Sequence, residues 1–136
     1  MKIKFLLAEE VRLEMGGKST VVGLFPDDVL LMQVTRPVGA SPDMPEGIDR
    51  LAFLLNVSDV PEGMHNFKGN ITDPSGAPYN PVTALGDENI KEGFSHSIIV
   101  EIRPFIVKSK GVYHFNLYVD DVLTTFPFEI RQQAIS

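Results

Sequence analysis

Hydrophobic and polar residues alternate with period two along much of this chain, and the pattern is cleanest toward its C-terminal end. After Gly111, the residues Tyr113, Phe115, Leu117 and Val119 alternate with His114, Asn116 and Tyr118. Asp120-Asp121 supplies a turn, and Phe126, Phe128 and Ile130 resume the alternation. Such alternation puts one face of a strand in a core and the other in water, so residues 110–131 predict a β-hairpin. Leu51, Phe53, Leu55 and Val57 alternate in the same way with Ala52, Leu54, Asn56 and Ser58. Pro61-Glu62-Gly63 then turns the chain into a strand carrying Phe67 and Ile71. Asp73-Pro74-Ser75-Gly76 closes that strand with the residues a type I turn favours at its first, second and fourth positions. Ile98, Val100 and Ile102 mark another strand, and Pro104 places its end on an edge or at a bulge.

The N-terminal part is less regular. Residues 3–14 predict a strand with Ile3, Phe5, Leu7, Val11 and Leu13 on one face and Lys4, Glu10, Arg12 and Glu14 on the other. At about 3.3 Å per residue such a strand spans roughly 40 Å, long for a small sandwich, and Glu9 falls on the apolar face. A bend or a switch between sheets at Glu9 accounts for both. Met15-Gly16-Gly17-Lys18 gives a tight reversal into residues 19–25, and Pro26-Asp27-Asp28 interrupts the chain before the apolar run 29–34. Residues 36–47, with Pro37, Pro42, Pro45, Gly39 and Gly47, predict a long loop. Residues 77–93, with Pro78, Pro81, Gly86 and Asp87-Glu88, predict an irregular connection with room for one helical turn.

These elements add up to an all-β chain of about eight strands, a two-sheet antiparallel β-sandwich forming a single domain over residues 1–136. The expected core is Leu51, Phe53, Leu55, Phe67, Ile71, Ile98, Val100, Ile102, Phe115, Leu117, Phe128 and Ile130. Tyr113 lies two residues before the core position Phe115, where immunoglobulin-like sandwiches place a corner tyrosine that bonds back to the backbone. The same residue also fits a plain core-facing tyrosine; the sandwich is read as immunoglobulin-like on this feature.

A set of short motifs points further. Ala8-Glu9-Glu10-Val11-Arg12 through Glu14, then Gly16-Gly17-Lys18, then Gly23-Leu24-Phe25 with Asp27, stand near the start. The Asp73-Pro74-Ser75-Gly76 turn and the Gly111-Val112-Tyr113-His114-Phe115 hairpin follow later. Together they resemble a family of small bacterial proteins of unknown function, over nearly the whole chain. The resemblance implies a β-sandwich with no known activity, so it assigns no catalytic residue.

Composition narrows the function classes. Of 136 residues 43% are hydrophobic and 22% charged, enough apolar content for a real core and against general disorder. The formal charge of −6, without a lysine or arginine cluster, disfavours nucleic acid and anionic membrane as partners. With no cysteine there is no disulfide, thiolate nucleophile or cysteine zinc site. Lys2 and Lys4 are followed by a short apolar run ending at Glu9-Glu10, whereas a secretory core needs about 7–15 apolar residues. No run reaches the roughly 18 residues of a membrane span. The expectation is a cytoplasmic protein.

Candidate chemistry is sparse. No two histidines share the close spacing of a zinc pair, and strand parity sends His65 and His96 inward but His114 outward, so no metal site is expected. In Ser95-His96-Ser97 neighbours on a strand face opposite ways and cannot share a proton. Gly16-Gly17-Lys18-Ser19 lacks the upstream glycine of a phosphate loop, since position 11 is valine. The acidic pairs Glu9-Glu10, Asp27-Asp28, Asp87-Glu88 and Asp120-Asp121 read as solvated strand ends. Calcium would need Asp27-Asp28 and Asp120-Asp121 to meet at one end of the sandwich.

The most unusual surface feature is Glu10, Arg12 and Glu14 on one strand face with Lys18 beyond the turn. It reads first as a charge ladder guarding an edge strand, and second as a recognition patch. No catalytic residue, cofactor or metal is expected. The function that fits is a non-enzymatic module acting through protein contacts, self-association included. The surplus apolar residues of segments 19–25 and 29–34 suggest a two-fold homodimer burying part of residues 21–34. The alternative is a small-molecule or carbohydrate binder with a pocket under residues 37–47 and 77–93 and Tyr79 as a stacking residue; a hydrolase is a distant third.

Overall fold

The computed structural model of the protein describes residues 1–15, 18–33, 46–107 and 109–133. β1 (Lys2–Leu13) and β2 (Ser19–Leu24) form the first hairpin, and a single 3-10 turn at Pro26–Asp28 leads into β3 (Val29–Gln33). After β4 (Glu46–Ile48) come β5 (Leu51–Ser58), β6 (Gly63–Thr72), β7 (Thr83–Ile90) and β8 (His96–Ile102). β9 (Phe105–Val107), β10 (Gly111–Val119) and β11 (Val122–Gln133) complete the chain. The strands build a four-stranded sheet in the order β2-β1-β5-β8 and a five-stranded sheet in the order β3-β11-β10-β6-β7. β4 and β9 make a small third sheet. The architecture is all-β and sandwich-like.

Every residue expected in the core lies in one cluster between the large sheets, with Val100 and Ile102 half-buried at its margin. Leu51, Phe53, Leu55 and Val57 are fully buried because the alternation of β5 aims all four inward. Phe53 meets Phe115 across the two sheets at 5.0 Å between ring centroids. Phe5 stacks on Phe126 at 5.0 Å, and Phe128 stands edge-on to Phe53 at 5.2 Å. Such pairs add about 0.5–1.5 kcal/mol each beyond the area they bury.

The local turns follow their sequences. Asp120 and Asp121 both take left-handed φ (49° and 66°), the two-residue hairpin turn that lets β10 and β11 keep their twist. In the Asp73 turn, Gly76 N donates to Asp73 O at 2.9 Å, while the Asp73 carboxylate accepts from Ser75 and Ala77. Tyr113 forms the corner: its hydroxyl donates to Ser109 O at 2.6 Å, and its ring stacks on Phe128 at 5.5 Å.

Other expectations need correction. β3 runs parallel to β11, from Val29 opposite Glu129 to Gln33 opposite Gln133, so the sandwich is not wholly antiparallel. The described residues hold eleven strands rather than about eight. β7 takes residues 83–90 of the stretch 77–93 expected to be irregular, β4 takes the end of the expected loop 36–47, and β9 follows Pro104. The rest of that loop, through residue 45, lies outside the described residues, as does the Gly16-Gly17 turn. β1 does not switch sheets: it pairs with β5 over residues 2–8 and with β2 over residues 8–13. The bend is present. Ala8 and Val11, three residues apart, share one small cluster with Ala52, which a regular strand would forbid. Between them the β1–β2 ladder skips Glu9, whose side chain lies over Gly23 at φ 68°.

Candidate functional site

The charged residues singled out on β1 become part of a larger network. Glu10 accepts from Arg12 Nη2 at 3.0 Å and from Arg50 Nη1 at 3.0 Å. Arg50 Nε also reaches Glu101 at 3.1 Å, and Glu101 pairs with Arg103. The sheet order explains the convergence. Ala8 on β1 and Glu101 on β8 both flank Ala52 on β5, and the small alanines leave room for long side chains to lie across the sheet. The Arg12 hydrogen bond, then the charges of Arg12, Arg50 and Arg103, hold the Glu10 carboxyl below its ordinary value despite some desolvation. The charge of Glu14 also acts on Arg12, and Glu14 N donates to Lys18 O at 2.7 Å. Arg50, Glu101 and Arg103 were not apparent from local sequence. The one available signal was Glu101 interrupting the apolar run 98–102 on the outward parity.

The network forms one wall of a cleft of about 660 Å³ at this end of the sandwich, which Glu9, Val22, Phe25 and Ile48 also line. Beside it lies β2, an outer strand of the four-stranded sheet among the described residues. Val22 is 37% exposed, Leu24 51% and the neighbouring Leu13 of β1 72%. β1 pairs with β5 over residues 2–8 and with β2 over residues 8–13, so Arg12 stands beside a partly open edge.

Tyr79 is occupied structurally. Its hydroxyl accepts from Ile106 N at 2.9 Å, and its ring stacks on Phe105 at 4.6 Å with 10° between planes. It ties the β6–β7 connection to β9. The pocket expected beneath residues 37–47 falls largely outside the described residues.

The histidines point to separate places. His65 is buried and bonded through both ring nitrogens, His96 packs on Phe67 at 5.3 Å, and His114 stands on β10 opposite Pro127. Ser95 and Ser97 both bond Asn56 Nδ2, at 3.2 and 3.0 Å, rather than His96. Asp27-Asp28 and Asp120-Asp121 do not meet. Val29 pairs with Glu129 while Asp121 precedes Val122, so most of β11, about 24 Å, separates them. Burial, helped by Asp27, raises the Asp28 carboxyl above its ordinary value. Among the described residues no group of three or more metal-ligating side chains is assembled.

Solved structures resemble the chain at low identity. The alkylpurine DNA glycosylase AlkC of Pseudomonas fluorescens, bound to DNA containing an abasic site analog, is 18% identical with a TM-score of 0.46, over 78% of this chain and 28% of that one. A β-glucosidase from Listeria innocua in complex with glucose is 9% identical with a TM-score of 0.44, over 98% of this chain and 16% of that one. The chain therefore spans less than a third of the length of either enzyme. No curated protein matches it. One family model does match, over residues 4–131, and the chain belongs to that family, the family of unknown function DUF6941.

Proposed function

We propose that the protein is a non-enzymatic contact module whose working surface is the β2 edge of the four-stranded sheet, and that its first partner is a second copy of itself. The observation that carries this reading is the composition of that edge. β2 reads Ser-Thr-Val-Val-Gly-Leu, with none of the lysine or proline by which sheets guard their edges, and its side chains are exposed or half-exposed. Two such strands, brought together about a two-fold axis, would pair their free backbone groups and cover Val22 and Leu24. The net charge of −6 supports a protein partner over nucleic acid or an anionic membrane. No helix among the described residues is long and apolar enough to cross a membrane, and the reading places the module in the cytoplasm.

Sedimentation velocity across the micromolar range tests it. The expected species has twice the mass of one chain, and Val22→Lys returns it to a monomer with an unchanged circular dichroism spectrum. A single-chain mass throughout would overturn self-association. The second reading, a small-molecule site, rests on the cleft of about 660 Å³. Saturable chemical-shift changes confined to Glu9, Ile48 and Arg50 on adding a ligand library would favour it.

A further inference from the structure

At the other end of the sandwich His65 is held in an arrangement that only one protonation state satisfies. Its Nδ1 lies 2.6 Å from Asp120 Oδ2, and its Nε2 lies 2.6 Å from Pro61 O. A carbonyl oxygen can only accept, and so can an ionised carboxylate, so both ring nitrogens must donate. Either neutral tautomer leaves a nitrogen lone pair facing an oxygen. The Asp120 carboxylate is fixed from its other oxygen, where Oδ1 accepts from Asn66 N at 2.8 Å, and Asp120 N donates back to Asn66 O at 2.9 Å.

We propose that His65 is a protonation-dependent clasp that fastens the β5–β6 turn to the β10–β11 turn and loosens them, giving up one of its two bonds, when it loses its proton. The neighbouring elements carry further titratable groups, Lys2 of β1 among them where it lines the same cleft as Pro61. Asp120 and Asp121 come from the β10–β11 turn, with Lys68 of β6 3.5 Å from Asp121. Asp59 and Glu62 come from the β5–β6 turn, Glu88 stands across the β6–β7 ladder from His65, and His96 comes from β8. The balance is acidic, which favours the imidazolium. The bond to Asp120, then the bond to Pro61, outweighs desolvation and raises the His65 value above the ordinary 6.5. The bond from Asn66 N, then the bond from His65, lowers Asp120.

The signs define a window. A raised histidine contributes stability that is complete below the ordinary value and lost as pH rises through the raised one. A lowered carboxylate contributes stability present above its ordinary 3.8 and lost as pH falls through its lowered value. The clasp is therefore shut between those limits and opens on the alkaline side. Pro61 and Glu62 also line a cleft of about 620 Å³ opposite Phe94, so opening reaches the surface.

The test is a titration of the ring protons by NMR in the full chain, with protection factors for the Asn66 and Asp120 amides measured in parallel. His65 is expected to titrate above 6.5 with both ring N–H groups visible on the acid side. The local opening constant should rise by up to about tenfold per pH unit between 6.5 and its midpoint. Asp120→Asn keeps a residue that tolerates φ 49° and should bring the His65 midpoint back down. A His65 midpoint at or below 6.5, or protection factors that do not change across it, would overturn the clasp.

Discussion

Each large sheet has two outer strands, β2 and β8 in one and β3 and β7 in the other, and β2 and β7 are built differently. β7, the edge of the five-stranded sheet, carries Asp87 and Glu88, holds Gly86 at φ 109°, and pairs with β6 through a register shift between Phe67 and Lys68. Each feature spoils the straight row of backbone groups that another strand would need, and Asn66 Nδ2 further ties Asp87 down at 2.6 Å. β2, the edge of the four-stranded sheet, has no charge and no proline, and only Gly23 disturbs it. The contrast teaches that the fold already contains the means to close an edge and uses them on β7 rather than on β2. That asymmetry is the physical ground for reading β2 as a contact surface.

The comparison depends first on both edges hanging from one core. Phe115→Ala removes the ring that joins the sheets and should cost about 3–5 kcal/mol, with both sheets unfolding in one transition. Two resolved steps in chemical denaturation would mean that the edges belong to separate units. Gly69→Ala presses first on the guarded side. A methyl there would stand 3.0 Å from Leu85 of β7 and 3.1 Å from Asn116 O, so about 1–3 kcal/mol is expected, with faster amide exchange along β7. Tyr113→Phe leaves both edges intact and loses one bond to Ser109, about 0.5–1.5 kcal/mol by thermal denaturation. The smallest effect on folding comes from Glu88→Val, about 0.5 kcal/mol or less, yet it removes part of the guard. Light scattering should then show association beyond the wild-type state; no change would mean that Asp87, Gly86 and the bulge suffice to protect β7.

Much of the fold could be read from the sequence where the information is local. β5, β10 and β11 show themselves by period-two alternation, and the Asp73 and Asp120 turns by residues that match their backbone angles. Tyr113 was legible because its partner is four residues away. β7 was not, because an exposed edge strand has one buried residue, Ile90, and its acidic, glycine-containing sequence imitates a loop. β4 and β9 are too short for any period to register. The site was less legible still. Glu10 and Arg12 stood out on one strand, but Arg50 and Glu101 reach them only through the order β1-β5-β8. His65 and Asp120 are 55 positions apart, and nothing local to either announces the other.

The parallel pairing of β3 with β11 has a mechanical consequence. β3 is reached from the N-terminal side of the chain and β11 continues toward the C-terminal side, with both running in the same direction. Tension applied between the start of β3 and the end of β11 would slide the strands past each other rather than peel them apart. The evenly spaced bonds of a parallel ladder then share the load, and none can yield before the rest. Stretched between those two points as a single molecule, the domain should resist up to one abrupt rupture.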